Sequence, residues 1–96
     1  QLPCGCENNG HIFYLLLQCQ DERDRFIEFM NERDIHTVFH YIPLHDSPMG
    51  RQVSDPVQLP VTEDIAGRLV RLPMYFRMTD DEMQAVTVAV REWFKR

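Results

Sequence analysis

The apolar positions along this chain change period several times, and each change marks an element. His11 to Cys19, "HIFYLLLQC", is a short apolar run rich in β-formers, following the turn signals Pro3, Gly5 and Asn8-Asn9-Gly10. It reads as a buried strand. From Asp21 to about Asp34 the period becomes helical, with Phe26, Ile27, Phe29 and Met30 apolar and Arg23, Arg25, Glu28, Glu32 and Arg33 polar. Asp21 is the expected N-cap, with acidic residues in the first turn. Ile35 to Ile42 returns to β character and Pro43 closes it; the stretch through Phe39 is expected to be buried support. Pro43 to Pro60 holds four prolines and Gly50 with no sustained period, and reads as a long loop of the functional or mobile kind.

Thr62 is the expected cap of a second helix, with Ile65, Ala66, Leu69 and Val70 as its apolar stripe. Arg71 to Tyr75 reads as a short extended segment, because Pro73 bars helix continuation. Thr79-Asp80-Asp81-Glu82 is a capping box, in which the threonine hydroxyl and the glutamate carboxylate each satisfy the other's free backbone N–H. Met83, Val86, Val90, Trp93 and Phe94 share one face of the helix that follows. The order is β-α-β, long loop, α-β-α. It predicts a single α+β domain over residues 1–96, with a three-stranded sheet, mixed or antiparallel, covered by helices on one face.

Ninety-six residues bury roughly 65% of the unfolded surface, enough for a modest core without disulfides or metal. The charge is -5, from Lys+Arg 10 against Asp+Glu 15, and the basic residues do not cluster. That excludes the footprint phosphate backbones require, so nucleic acid is not an expected partner. No run approaches the ~20 apolar residues of a membrane span, and the chain does not open on a signal sequence. The expectation is a soluble cytoplasmic protein. The chain begins at Gln1 and not at Met, which reads as a processed product or a piece of something longer.

The stretch "HTVFHYIPLH" carries three of the four histidines. His36 and His40 are four apart, a metal-ligand spacing on a helix, but on a strand four residues span ~13 Å, too far for one ion. Metal is therefore not expected there. A zinc reading from Cys4, Cys6, Cys19 and His11 is weakened by the crowded C-x-C pair. Ser47 and Ser54 lack a glycine-flanked elbow, and the glycines form no phosphate cradle. Tyr41 and His45 lie where a strand hands over to a loop, the place binding residues favour.

The blocks "NNGHIFYLLL", "VFHYIPLHDSPMG", "LPVTEDIAGRLVRLPMY" and "MTDDEMQAV" resemble, in order and spacing, the C-terminal part of the PLP-dependent sugar-nucleotide aminotransferases of the DegT type. "FHYIPLH" and "RLPMY" are the most telling. The resemblance runs from about Asn8 to Phe94 and implies the small domain of a fold type I aminotransferase, with the large PLP-binding domain lying outside this chain. It further implies a homodimer that moves an amino group from L-glutamate to C4 of dTDP-4-dehydro-6-deoxyglucose. The product, dTDP-4-amino-4,6-dideoxygalactose, feeds surface polysaccharides such as enterobacterial common antigen or O-antigen. By the same analogy Tyr41 packs or hydrogen-bonds near the sugar, His45 and the Asp46–Arg51 segment shape the pocket wall, and Arg51 offers a diphosphate a fork of donors. The stretch between Gly50 and Leu59 is short, which bears on substrate choice.

PLP chemistry needs a lysine, and Lys95, the only one, is next to the last residue. The chain alone is expected to bind no cofactor and to be inactive. Two other readings compete: a self-contained, non-catalytic α+β ligand-binding or regulatory module, and the zinc-dependent interaction domain. An enzyme piece exposes an apolar face where its large domain belongs, whereas a complete module does not.

Overall fold

A computed structural model describes residues 2–96. The elements are β1 (Tyr14–Leu16), α1 (Gln20–Asn31), β2 (Val38–Phe39), a 3-10 turn (Leu44–Asp46), α2 (Pro48–Val53), α3 (Pro60–Arg68), β3 (Leu69–Arg71) and α4 (Asp80–Phe94). The three strands form one antiparallel sheet in the order β1-β3-β2. The fold is α+β, as the pattern predicts.

β3 is the central strand because its apolar residues are buried from both sides. Val70 is opposite Leu15 on one side and Phe39 on the other, and Leu69 and Val70 are both buried. Backbone bonds Leu72 N–H to Phe13 O (2.9 Å) and Leu17 N–H to Arg68 O (3.0 Å) carry the β1–β3 pairing one residue past each end of the ladder. Leu15, Leu17 and Val70 point to the helices, joining Phe26 and Met30 of α1 and Ala89 of α4 in the core. Trp93 closes this core with its ring edge-on to Phe26, 5.5 Å between centroids. Tyr14 and Leu16 alternate onto the other face and stay exposed.

Several boundaries differ from the sequence expectation, each for a physical reason. β1 is shorter than His11–Cys19 because only its centre finds a partner strand. The N-cap of α1 comes two residues earlier than Asp21, at the extended backbone of Cys19, while Glu22, not Asp21, turns back to accept the Gln18 N–H at 2.6 Å. α3 begins at Pro60, whose fixed φ and missing N–H suit the first helical position, so Thr62 lies inside the helix. Leu69 and Val70 belong to β3 and not to the helical stripe; ladder pairing on two edges outweighs continuation of α3. The extended segment therefore comes two residues before Arg71. Pro43–Pro60 is not a plain loop, since it contains the 3-10 turn and α2.

Phe39 also departs from the expectation of buried support. It is 41% exposed, and the buried residue of that stretch is Thr37. The capping box of α4 is present in full: Glu82 N–H donates to Thr79 Oγ1 at 3.2 Å, and Thr79 N–H to Glu82 Oε2 at 2.8 Å. Those bonds, with the Tyr75 hydroxyl beside them, hold the Glu82 carboxyl below its ordinary range; the same carboxylate raises the Tyr75 phenol. On α4, Met83 and Phe94 are exposed while Ala89 supplies the buried contact.

Candidate functional site

β2 ends at Phe39, and two residues later the chain turns through Tyr41 with φ at +63°. A bulky residue in that left-handed region is unusual and is held only where its surroundings fix it. Here the Tyr41 ring lies 4.9 Å from His40 and 5.1 Å from the guanidinium carbon of Arg71 on β3. Its own surface is 64% exposed.

Pro43 then starts the 3-10 turn that presents His45 and Asp46. His45 Nε2–H donates to Glu63 Oε1 at 3.0 Å, and its side chain is only 8% exposed. A carboxylate accepts only, so Nε2 carries the proton and Nδ1 is the other polar atom of the ring. Asp46 pairs with Arg51 at 2.9 Å. Ser47 ties turn to helix by donating to Leu44 O (2.8 Å) and accepting from Gly50 N–H (2.9 Å). A Cβ on Gly50 would run into the Leu44 carbonyl, so only glycine lets α2 sit this close to the turn.

Tyr41, Pro43, Asp46, Glu63 and Arg23 border a cleft of about 430 Å³ between this turn and the start of α3. Of the three residues singled out from sequence, Tyr41 therefore faces the cleft. His45 stands behind it, fixed to Glu63. Arg51 does not border it; it is 69% exposed and engaged by Asp46. Two residues escaped the sequence reading. Arg23, a polar position in the helical pattern of α1, is buried, donating to Ala66 O at 3.0 Å and to Asp24, with its guanidinium 5.1 Å from the centre of the Phe39 ring. Glu63 is the anchor of His45; its place in the first turn of α3 accounts for an acidic residue there, but nothing local ties it to His45.

Among the described residues, His45, Asp46 and Glu63 are the group of three whose ligand atoms lie within 4.8 Å of one another. Cys4, Cys6 and Cys19 are exposed free thiols outside it. Pyridoxal phosphate chemistry draws on a lysine and a phosphate cradle, and among the described residues the candidates for both stand apart from this turn. Lys95 is exposed at the C-cap of α4, beyond the last core residue, and the left-handed glycines Gly5 and Gly10 lie in the exposed N-terminal segment. No helix is long and apolar enough to cross a membrane among the described residues.

Comparison with known proteins supplies the context. A dTDP-4-dehydro-2,3,6-trideoxy-D-glucose 4-aminotransferase of Saccharopolyspora spinosa is 34% identical over 85 residues, covering 88% of this chain and 21% of that protein. A dTDP-3-amino-3,6-dideoxy-alpha-D-galactopyranose transaminase of Aneurinibacillus thermoaerophilus is 28% identical over 93 residues, covering 96% and 25%. The chain thus spans about a quarter or less of the length of these relatives. The aminotransferase TlmJ from Streptoalloteichus hindustanus shares the fold, with a TM-score of 0.85 over 99% of this chain and 25% of that one, at 23% identity. Residues 5–91 match the model of one family across this whole arrangement of sheet, turn and helices, and the chain belongs to it: the DegT/DnrJ/EryC1/StrS aminotransferase family.

Proposed function

We propose that this chain is the small C-terminal domain of a PLP-dependent sugar-nucleotide aminotransferase whose large domain holds the cofactor. The whole enzyme transfers an amino group from L-glutamate to C4 of dTDP-4-dehydro-6-deoxy-D-glucose. Its product, dTDP-4-amino-4,6-dideoxygalactose, serves surface polysaccharide assembly such as enterobacterial common antigen or O-antigen. The enzyme works as a cytoplasmic homodimer, and the chain alone does not transaminate. The names of the relatives, which specify amination of dTDP sugars, support the substrate class; the C4 position rests on the sequence resemblance.

One observation carries the role given to this piece. The turn after β2 is fixed internally, His45 to Glu63 and Asp46 to Arg51, while Tyr41 and Leu44 project from it uncovered. A rigid turn with free rings and side chains suits a wall that another domain completes. Tyr41 packs against the sugar; His45 acts by positioning, holding the turn against α3. Arg51 meets the diphosphate only by giving up Asp46, so its contribution is the smallest of the three.

The test is the product as its source organism makes it, assayed for L-glutamate-dependent amination of the 4-keto sugar. A longer protein absorbing near ~400–430 nm, as a PLP–lysine adduct does, is expected. In it Tyr41→Ala should lower kcat/KM about 10- to 100-fold, the range of one lost contact to a polar ligand. His45→Ala should loosen the turn and raise KM more than it lowers kcat. A colourless native product of this length, binding no sugar nucleotide, would sink the proposal in favour of a self-contained module.

A further inference from the structure

Tyr41 keeps a left-handed backbone two residues past the last paired residue of β2, a conformation that a bulky side chain holds only under constraint from its surroundings. Two groups flank its ring. His40, 4.9 Å away, is its exposed neighbour in sequence and cannot fix the ring relative to the sheet. Arg71 comes from β3, and its guanidinium carbon lies 5.1 Å from the ring centre.

Arg71 is itself held in place. It lies on the central strand, opposite Tyr14 of β1 and Val38 of β2, so these three side chains stand together on the open face of the sheet. Its Nε has no accessible surface and no hydrogen-bond acceptor, so water does not screen the root of the guanidinium and the groups around the cation count for more than they would at the surface. Arg23 over Phe39 and Arg33 over Phe29 each hold a carboxylate as well as a ring, Asp24 and Glu92. Arg71 is in no such ion pair among the described residues. The face of the Tyr41 ring is then the negative potential offered to it, and no carboxylate competes to draw the cation away.

We infer that Arg71 is a positioning residue for Tyr41: anchored on the central strand, it holds the phenol ring where the ring borders the cleft beside the turn. Arg71 does not border that cleft, whereas Tyr41 does, so Arg71 acts on a substrate only through the ring. The inference rests on the reading of Tyr41 as the residue that packs against the sugar.

A double-mutant cycle in the full-length enzyme tests it. Arg71→Met keeps an unbranched apolar stem and removes the cation; kcat/KM should fall about 2- to 30-fold, the range of one cation–π contact, through KM more than kcat. In a Tyr41→Ala background the same change should have no further effect. Arg71→Lys, which keeps the charge without the planar fork, should recover part of the loss, and it takes the place of Arg71→Met in the cycle if that variant does not fold. In the chain alone, the side-chain proton resonances of Arg71 should lie upfield under the ring current of Tyr41 and return to ordinary values in Tyr41→Ala. Losses that add in the double variant, a kcat/KM unchanged by Arg71→Met where Tyr41→Ala is damaging, or Arg71 resonances indifferent to Tyr41 would each overturn the role given to Arg71. A Tyr41→Ala enzyme with unaltered kinetics would instead remove the reading of the cleft itself, and Arg71 would lose its role with it even if the ring-current shift stood.

Discussion

At the scale of single residues, the turn after β2 depends on one hydrogen atom. Gly50 sits against the Leu44 carbonyl, a backbone group that cannot rotate aside as a flexible side chain does. Gly50→Ala must push α2 off the turn and break the Ser47 bonds to Leu44 O and Gly50 N–H. Overpacking of this kind costs about 1–3 kcal/mol. Ser47→Ala, which removes the cap without a clash, should cost about 1 kcal/mol. Urea unfolding of both variants checks this: the alanine at position 50 should be the more damaging. Equal midpoints for Gly50→Ala and the parent would mean that the turn and α2 do not pack this closely in solution. Sequence reading could find Tyr41 and His45 because they stand beside Pro43 at a strand exit. It could not see that Glu63, eighteen positions later, holds His45, or that Arg23 is buried; long-range pairing leaves no local mark.

At the scale of elements, α4 offers the cleanest test of what local sequence specifies. Its capping box was legible because all of its chemistry lies within four consecutive residues, Thr79 to Glu82. Thr79→Ala should lower stability by about 1 kcal/mol. Glu82 adds a pH signature. Its folded pKa is depressed below the ordinary 4.5 by the Thr79 backbone N–H, the Tyr75 hydroxyl and the Thr79 hydroxyl. Its contribution is therefore full above 4.5 and is lost as pH falls through the lower folded value. Thermal melts across that acid range should show a steeper loss of stability in the parent than in Glu82→Gln; identical profiles would mean that the Glu82 charge adds nothing to the box. Where elements failed to read true, tertiary pairing had won. Leu69 and Val70 fit a helical stripe, yet two neighbouring strands claim their backbone. Ser47-Pro48 and Pro60 were readable helix starts, masked because proline-rich segments ordinarily signal loops.

At the scale of the whole molecule, surface and size bear on whether the chain is complete in itself. Its accessible surface is 7896 Å², against about 5800 Å² for a compact monomer of this mass. Its radius of gyration is 15.8 Å, against about 12–13 Å for a compact domain of this length. The excess of roughly 2000 Å² is the scale of a substantial interface. Much of it is apolar: Tyr14 and Leu16 on the open sheet face, Phe13 beside them, and Phe76 after β3, 89% exposed. Such a surface does not stay single in water. Sedimentation of the isolated chain over a concentration series should show reversible self-association, and the double substitution Tyr14→Ser with Leu16→Ser should shift it toward monomer without lowering helix content, because neither residue belongs to the core. A concentration-independent monomer would instead mean that the open sheet face needs no cover, and the case for a neighbouring domain docking there would fall with it.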